Sequence, residues 1–244
     1  MGNCVAILSD IHGNLHALQA VMNDLKRRPI GSIILLGDLI DYGLQSNEVI
    51  AYLREELELP VLCNIFGNHE RAIMARDFSR FSSPRGAECA QYTERILTSR
   101  SRIYIEENCN PNCRQEFALG NKKCLAVHGS LEDIAWKGIM PDNVRGDYRE
   151  FDFVFSGHTH YSHCFMKFYN IDDPSHRNKK PVTFINPGSV GQPRNHNPNA
   201  QYALLNVETF SAELRAVPYD FRAAMSLYHG QVDDFYRLRL EGGI

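Results

Sequence analysis

The sequence predicts an α/β fold, a four-layer sandwich in which two packed β-sheets carry helices on their outer faces. Three observations predict it. Short apolar runs alternate with helical patterns through the first 66 residues. From about residue 123 onward, strand-like runs follow one another instead. The 244 residues, 43% hydrophobic and 23% charged, have an ordinary globular composition and the length for one large domain.

Val5–Leu8 reads as the first strand, and Leu15, Leu18, Val21, Met22 and Leu25 then fall on one helical face. Ser32–Leu36 is the second strand, and Ser46 is a candidate N-cap for a helix carrying Val49, Ile50 and Leu53. Pro60 ends that connection, and Val61–Phe66 is a third strand. Strands joined through helices of this length imply right-handed βαβ units and a buried parallel sheet. Residues 80–118 are polar and rich in Arg, with a helix expected over Ala87–Leu97. They read as a partly helical cap inserted outside the sheets. Strands resume at Lys123–Val127, Phe151–Phe155, Phe165–Tyr169 and Val182–Ile185. Tyr202–Val207 and Ala212–Val217 form a hairpin around Glu208–Ser211. The last 25 residues read as helical and peripheral.

Charge and cysteine usage exclude several classes. The net charge of -3 provides no overall field to attract nucleic acid, so no extended nucleic-acid partner is expected. No apolar stretch approaches membrane-spanning length, and the opening Met1–Leu8 lacks the features of a secretory signal. The odd number of cysteines, 7, scattered through strands, reads as reduced core thiols of a cytoplasmic protein. Cys109 and Cys113 form a C-x3-C pair without a second pair nearby, either a small zinc site or a loop with two free thiols.

Five apolar strands end in the same kind of residue. The runs finish at Asp10-Ile11-His12, Gly37-Asp38, Gly67-Asn68-His69-Glu70, His128-Gly129 and Gly157-His158-Thr159-His160. In an open α/β sheet, ligands collect at the carboxyl ends of the strands, so these residues converge on one crevice. Any single ending is an ordinary turn. Five endings rich in Asp, Asn and His and free of Lys and Arg are a ligand set. Asp10, Asp38, Asn68, His12, His128, His158 and His160 are too many donors for one tetrahedral zinc and suit two metal ions of higher coordination number. Two divalent ions bring four positive charges against two carboxylates. The excess favours a bridging hydroxide and an anionic substrate, with phosphate the natural candidate.

In order and spacing these motifs resemble the calcineurin-like metallophosphoesterase superfamily, and Ile185–Asn195 is similar to its small bacterial phosphodiesterase branch. The resemblance runs from about residue 4 to 217. It implies one metal held by Asp10, His12, Asp38 and His160, and a second held by Asp38, Asn68, His128 and His158, with Asp38 as the bridge. It further implies that His69 protonates the leaving oxygen and that Asp41 orients His69. The superfamily's protein Ser/Thr phosphatases carry Arg where this chain has Tyr42, which argues against a phosphoprotein substrate. Phosphate contacts are then expected from Asn14, at the start of the first helix, and from Arg194. His16, His163, His176, His196 and His229 match no motif position.

The resulting expectation is a phosphoesterase with two divalent ions, Mn2+ first and iron or zinc after it. Its substrate is a small phosphodiester, with a dinucleoside polyphosphate or a phosphomonoester as the alternative. The partner is thus small, phosphorylated and nucleotide-like, with no membrane association; oligomeric state leaves no mark on the sequence.

Overall fold

Alternation along the first strand already defines two cores. Ala6 and Leu8 of β1 (Cys4–Leu8) pack toward helices, whereas Val5 and Ile7 pack toward a second sheet. The computed structural model describes residues 2–244. From β1 the chain runs through α1 (Leu15–Leu25), β2 (Ile30–Leu35), α2 (Ser46–Glu55) and β3 (Val61–Asn64), with β1–β2 and β2–β3 parallel. The hairpin β9 (Ala200–Asn206) and β10 (Ala212–Val217) completes this sheet in the order β10-β9-β1-β2-β3.

The second sheet has the order β4-β5-β6-β8-β7, built from Arg114–Leu119, Lys122–Val127, Phe153–Ser156, Lys179–Asn186 and His163–Asn170 respectively. Its inner face meets the first sheet through Cys124, Ala126, Phe153, Phe155 and Ile185. The layer outside this sheet is an irregular segment rather than a helix: Ile139, Tyr148 and Phe151 pack there against Leu125, Val127, Val154 and Phe184.

Three expectations change. The segment expected as a cap ends earlier, because β4 pairs antiparallel with β5 and belongs to the sheet. What precedes it is α3 (Asn68–Ala75), α4 (Pro84–Ile96) and α5 (Ser99–Asn108); of these only α4 had a recognisable apolar pattern. Ser46 does not cap α2. It is the first helical residue, and its hydroxyl instead accepts the Asp41 N–H at 3.0 Å. The C-terminal residues are helical, α6 (Phe221–Met225) and α7 (Phe235–Gly242), but not peripheral: Tyr236 is 2% exposed and stacks on Tyr42 at 4.6 Å. All seven cysteines are free.

Candidate active site

The turns after β1, β2 and β6 bend the chain back sharply enough to aim several side chains at one point. Asp10, His12, Asp38, Asp41, His158 and His160 all adopt left-handed backbone, with φ between 49° and 74°. That conformation is costly for residues with a Cβ and persists where the surroundings over-determine it, typically at functional sites. Two glycines allow the turns to nest. A Cβ on Gly67 would lie 2.0 Å from Asp38 Oδ1, and one on Gly191 would lie 1.8 Å from the Ile11 carbonyl oxygen. The Ile185–Asn195 block acts as a strut: Val190 N–H donates to the Ser9 carbonyl, and the Gly191 N–H and the Ser189 hydroxyl donate to that of Asp10.

Each of four imidazoles, three buried and that of His158 partly buried, has one nitrogen beside a backbone carbonyl oxygen. Nδ1 of His12 is 3.3 Å from that of Ile40, Nδ1 of His128 is 2.7 Å from that of Leu36, and Nδ1 of His160 is 2.5 Å from that of Gln192. His158 is reversed, with Nε2 3.1 Å from the Trp136 carbonyl oxygen. A carbonyl can only accept, so a neutral ring keeps its proton on the nitrogen beside it and presents a lone pair from the other. Those lone pairs converge. His12 Nε2 and His160 Nε2 are 3.1 Å apart, and Asp10 Oδ1, which has no hydrogen-bond partner, is 3.2 Å from His160 Nε2. Asn68 Oδ1 lies 3.0 Å from His128 Nε2 and 2.8 Å from His158 Nδ1, while Asp38 Oδ2 is 3.2 Å from His128 Nε2. Two groups, Asp10 with His12 and His160, and Asp38 with His128 and His158, each offer ligand atoms within 4.8 Å of one another. Asp38 also stands with His12 and His69 in a third such group, so it joins the two halves.

The electrostatics agree with a cation site. Burial keeps His12 well below its usual range and brings His158 down to about 4, so both are neutral donors. Burial likewise lowers His160, with Arg194 adding to the effect. Burial also opposes charge on His128, yet Asp38 and Asp10 push it up to about 9. The buried carboxylates thus demand positive charge where the donor atoms meet. The set of carboxylate, amide and imidazole donors fits divalent metal.

His69 and Asp41 lie beside this cluster. His69 Nδ1 is 2.6 Å from Asp41 Oδ2, and Asp41 Oδ1 accepts the Thr93 hydroxyl at 2.7 Å. Burial alone would lower His69, but Asp38 and the hydrogen bond to Asp41 raise it. Thr93 comes from α4, so the helical segment reaches the site from behind. Glu70, fully buried, accepts four backbone N–H bonds: from Gly67 and Asp38, both at 2.8 Å, on Oε2, and from Leu39 at 2.7 Å and Ile40 at 3.2 Å on Oε1. Burial and Asp38 push Glu70 up to about 6. Nothing in the strand-end pattern foretold Thr93, and only its place in Gly67–Glu70 hinted at Glu70.

Asn14 does not meet its expectation. Its Oδ1 caps α1 through the Ala17 N–H, and its amide is committed to the Gly191 carbonyl and the Tyr219 hydroxyl, which leaves no donor for phosphate. Cys109 and Cys113 are both buried, and burial pushes the Cys113 thiol up to about 12.

The sequence profile of the calcineurin-like phosphoesterase superfamily domain matches residues 4–210. The chain belongs to that superfamily. Its members are hydrolases of phosphate esters that use divalent metal ions. An uncharacterised protein of Methanocaldococcus jannaschii is 30% identical over 228 residues, covering 90% of this chain and 89% of its own. A metallophosphoesterase from Sphaerobacter thermophilus superposes at a TM-score of 0.73 with 25% identity, both chains covered in full. A hypothetical protein of Pyrococcus horikoshii shares the fold at a TM-score of 0.76 and 21% identity, with 99% and 98% of the chains covered. No helix among the described residues is long and apolar enough to cross a membrane.

Above the superfamily's strand-end motifs lies a cleft of about 540 Å³. Asp38, Asn68, His69, His158 and His160 form its floor, and Arg194 lines it with Nε buried and unpartnered. Its walls include Arg80 and Phe81 beyond α3, Trp136 and Lys137, and Phe235, Tyr236 and Arg239 of α7. Arg80 and Lys137 are already paired, with Asp133 at 2.6 Å and Glu132 at 2.7 Å. The α7 residues lie outside the matched range of the superfamily profile.

Proposed function

We propose that this protein hydrolyses small phosphodiesters with two divalent metal ions. One ion would be held by Asp10, His12, Asp38 and His160, the other by Asp38, Asn68, His128 and His158. Manganese is the proposed ion, and iron or zinc would be accepted by the same mixed donors. The observation that carries the reading is the orientation of the four imidazoles, each tethered through one nitrogen and presenting the other to the centre shared with Asp10, Asp38 and Asn68. Divalent ions, when bound there, supply positive charge for the phosphoryl oxygens and acidify a water.

The chain's own residues supply the rest. With Nδ1 tied to Asp41, His69 keeps Nε2, 3.9 Å from Asp38 Oδ2, for the reacting group. Protonated, it gives that proton to the leaving oxygen, and Asp41 positions the ring and favours its charged form. Arg194 binds a non-reacting phosphate oxygen. Tyr42 packs between these groups, 4.5 Å from His12 and 4.4 Å from His69 between ring centres, and brings bulk without charge.

The test is a substrate panel with metal analysis. Exhaustive chelation is expected to abolish hydrolysis of bis(4-nitrophenyl) phosphate, and added Mn2+ to restore it with two ions per chain. Asp38→Asn should lower metal content more than Asn68→Ala. Turnover that survives chelation, or a single bound ion in the active protein, overturns the two-metal reading. Preferential turnover of phosphoserine peptides overturns the substrate class.

A further inference from the structure

Three guanidinium groups without an Asp or Glu partner among the described residues line one cleft: Arg85, Arg194 and Arg239. They come from α4, from the strut after β8 and from α7, so no local pattern brings them together. Their placement is built. The guanidinium carbons of Arg85 and Arg239 lie 4.2 and 4.8 Å from the centre of the Phe235 ring, which offsets part of the cost of gathering like charges. Tyr236, stacked on Tyr42, fixes α7 against the floor of the cleft, and the Tyr228 hydroxyl donates to the Tyr42 carbonyl at 3.0 Å. Burial and the neighbouring Arg194 bring Arg239 down to about 10, so the two cations feel each other.

A single phosphate bound by Arg194 would leave Arg85 without an anionic partner and Arg239 with only its bond to Ile244. The chain as a whole is acidic, at -3, so the local charge answers to something other than solubility. We infer that Arg85 and Arg239, gathered on Phe235 beyond Arg194, form a second anion pocket, selecting substrates whose leaving group carries a further phosphoryl group, that is, organic pyrophosphates. The inference rests on the hydrolase reading and deepens it. Water adds its oxygen to the phosphorus at the strand-end cluster, and the bridging P–O bond breaks. The leaving phosphate keeps the bridging oxygen and its electron pair and is held by Arg85 and Arg239, and the protons released from water pass to solvent. A phosphate leaving group needs little protonation, so His69 contributes less here than with an alcohol.

The test compares diadenosine diphosphate with adenylyl adenosine, which has two nucleosides of the same kind but one phosphate. The wild-type protein with Mn2+ should favour the pyrophosphate. Arg85→Gln and Arg239→Gln should each reduce kcat/KM for it by about 10–100-fold, the worth of one charge-assisted hydrogen bond, and should reduce the diester rate by far less. Two positions are used because Arg239 also donates to the Ile244 carbonyl and its loss can loosen α7. Equal losses on both substrates overturn the pocket. Calorimetry in chelator decides it without catalysis: inorganic pyrophosphate should bind more tightly than orthophosphate, and less tightly in both variants. If the wild type cleaves neither nucleotide nor bis(4-nitrophenyl) phosphate, the hydrolase reading fails. Pyrophosphate binding no tighter than orthophosphate refutes the pocket in either case.

Discussion

Glu70→Gln is expected to be among the most damaging single-atom changes available in this chain. The carboxylate accepts two N–H groups on each oxygen, from Leu39 and Ile40 on one and from Gly67 and Asp38 on the other, at 2.7–3.2 Å. An amide keeps one acceptor and turns an NH2 group toward the other pair of donors. Two buried N–H groups are then unpaired, at about 1–3 kcal/mol each, or about 2–6 kcal/mol together. Against a domain stability of about 5–15 kcal/mol this is a large fraction. Urea unfolding at about pH 8, where a carboxylate is charged, should show the midpoint falling with an unchanged slope. Metal uptake should weaken as well, since either pair of released N–H groups belongs to the turns that hold Asp38. A loss below about 1 kcal/mol, ordinary for a surface site, would refute the idea that this carboxylate clamps the Asp38 turn.

Two further outcomes follow from particular contacts. His69→Ala should retain metal yet lose rate by about 10²–10⁴-fold on poor leaving groups and much less on a nitrophenyl ester, with Asp41→Asn a milder copy; equal losses on both would remove His69 from the acid role. Asp24 is half-open, and burial opposes its charge, yet hydrogen bonds from Tyr202 and Arg28 hold its carboxyl below the usual 3.8. Because the folded state lowers this pKa, its stabilisation is present above about pH 4 and disappears as pH falls through the folded value. The wild-type advantage over Asp24→Asn in thermal unfolding should therefore shrink between neutral pH and about pH 3. A gap that is constant across that range would show that the charge of Asp24 contributes nothing.

The sequence by itself determined the sheet, the donor residues and their shared address. Period-two burial and βαβ spacing are local, and the carboxyl ends of adjacent parallel strands must be neighbours, so Asp10, Asp38 and Asn68 were bound to meet in one sheet and His128 and His158 in the other, while the packing of the two sheets brings the sets together. The second sheet was nearly as legible, except that β4 was hidden in a polar edge strand with only Leu119 buried. Tertiary structure alone decided the rest, because each remaining feature joins residues far apart in the chain. Which nitrogen of an imidazole carries the proton depends on a carbonyl supplied from elsewhere: His158 turns Nδ1 to the centre because Trp136 accepts from Nε2. Asn14 looked like an anion contact at a helix start, but its amide is consumed by Gly191, 177 residues away. The tail carried no motif, yet Phe235, Tyr236 and Arg239 form a wall of the cleft. Strand patterns specify where the backbone goes, whereas hydrogen-bond partners and cleft walls are fixed only when distant segments compete for the same space.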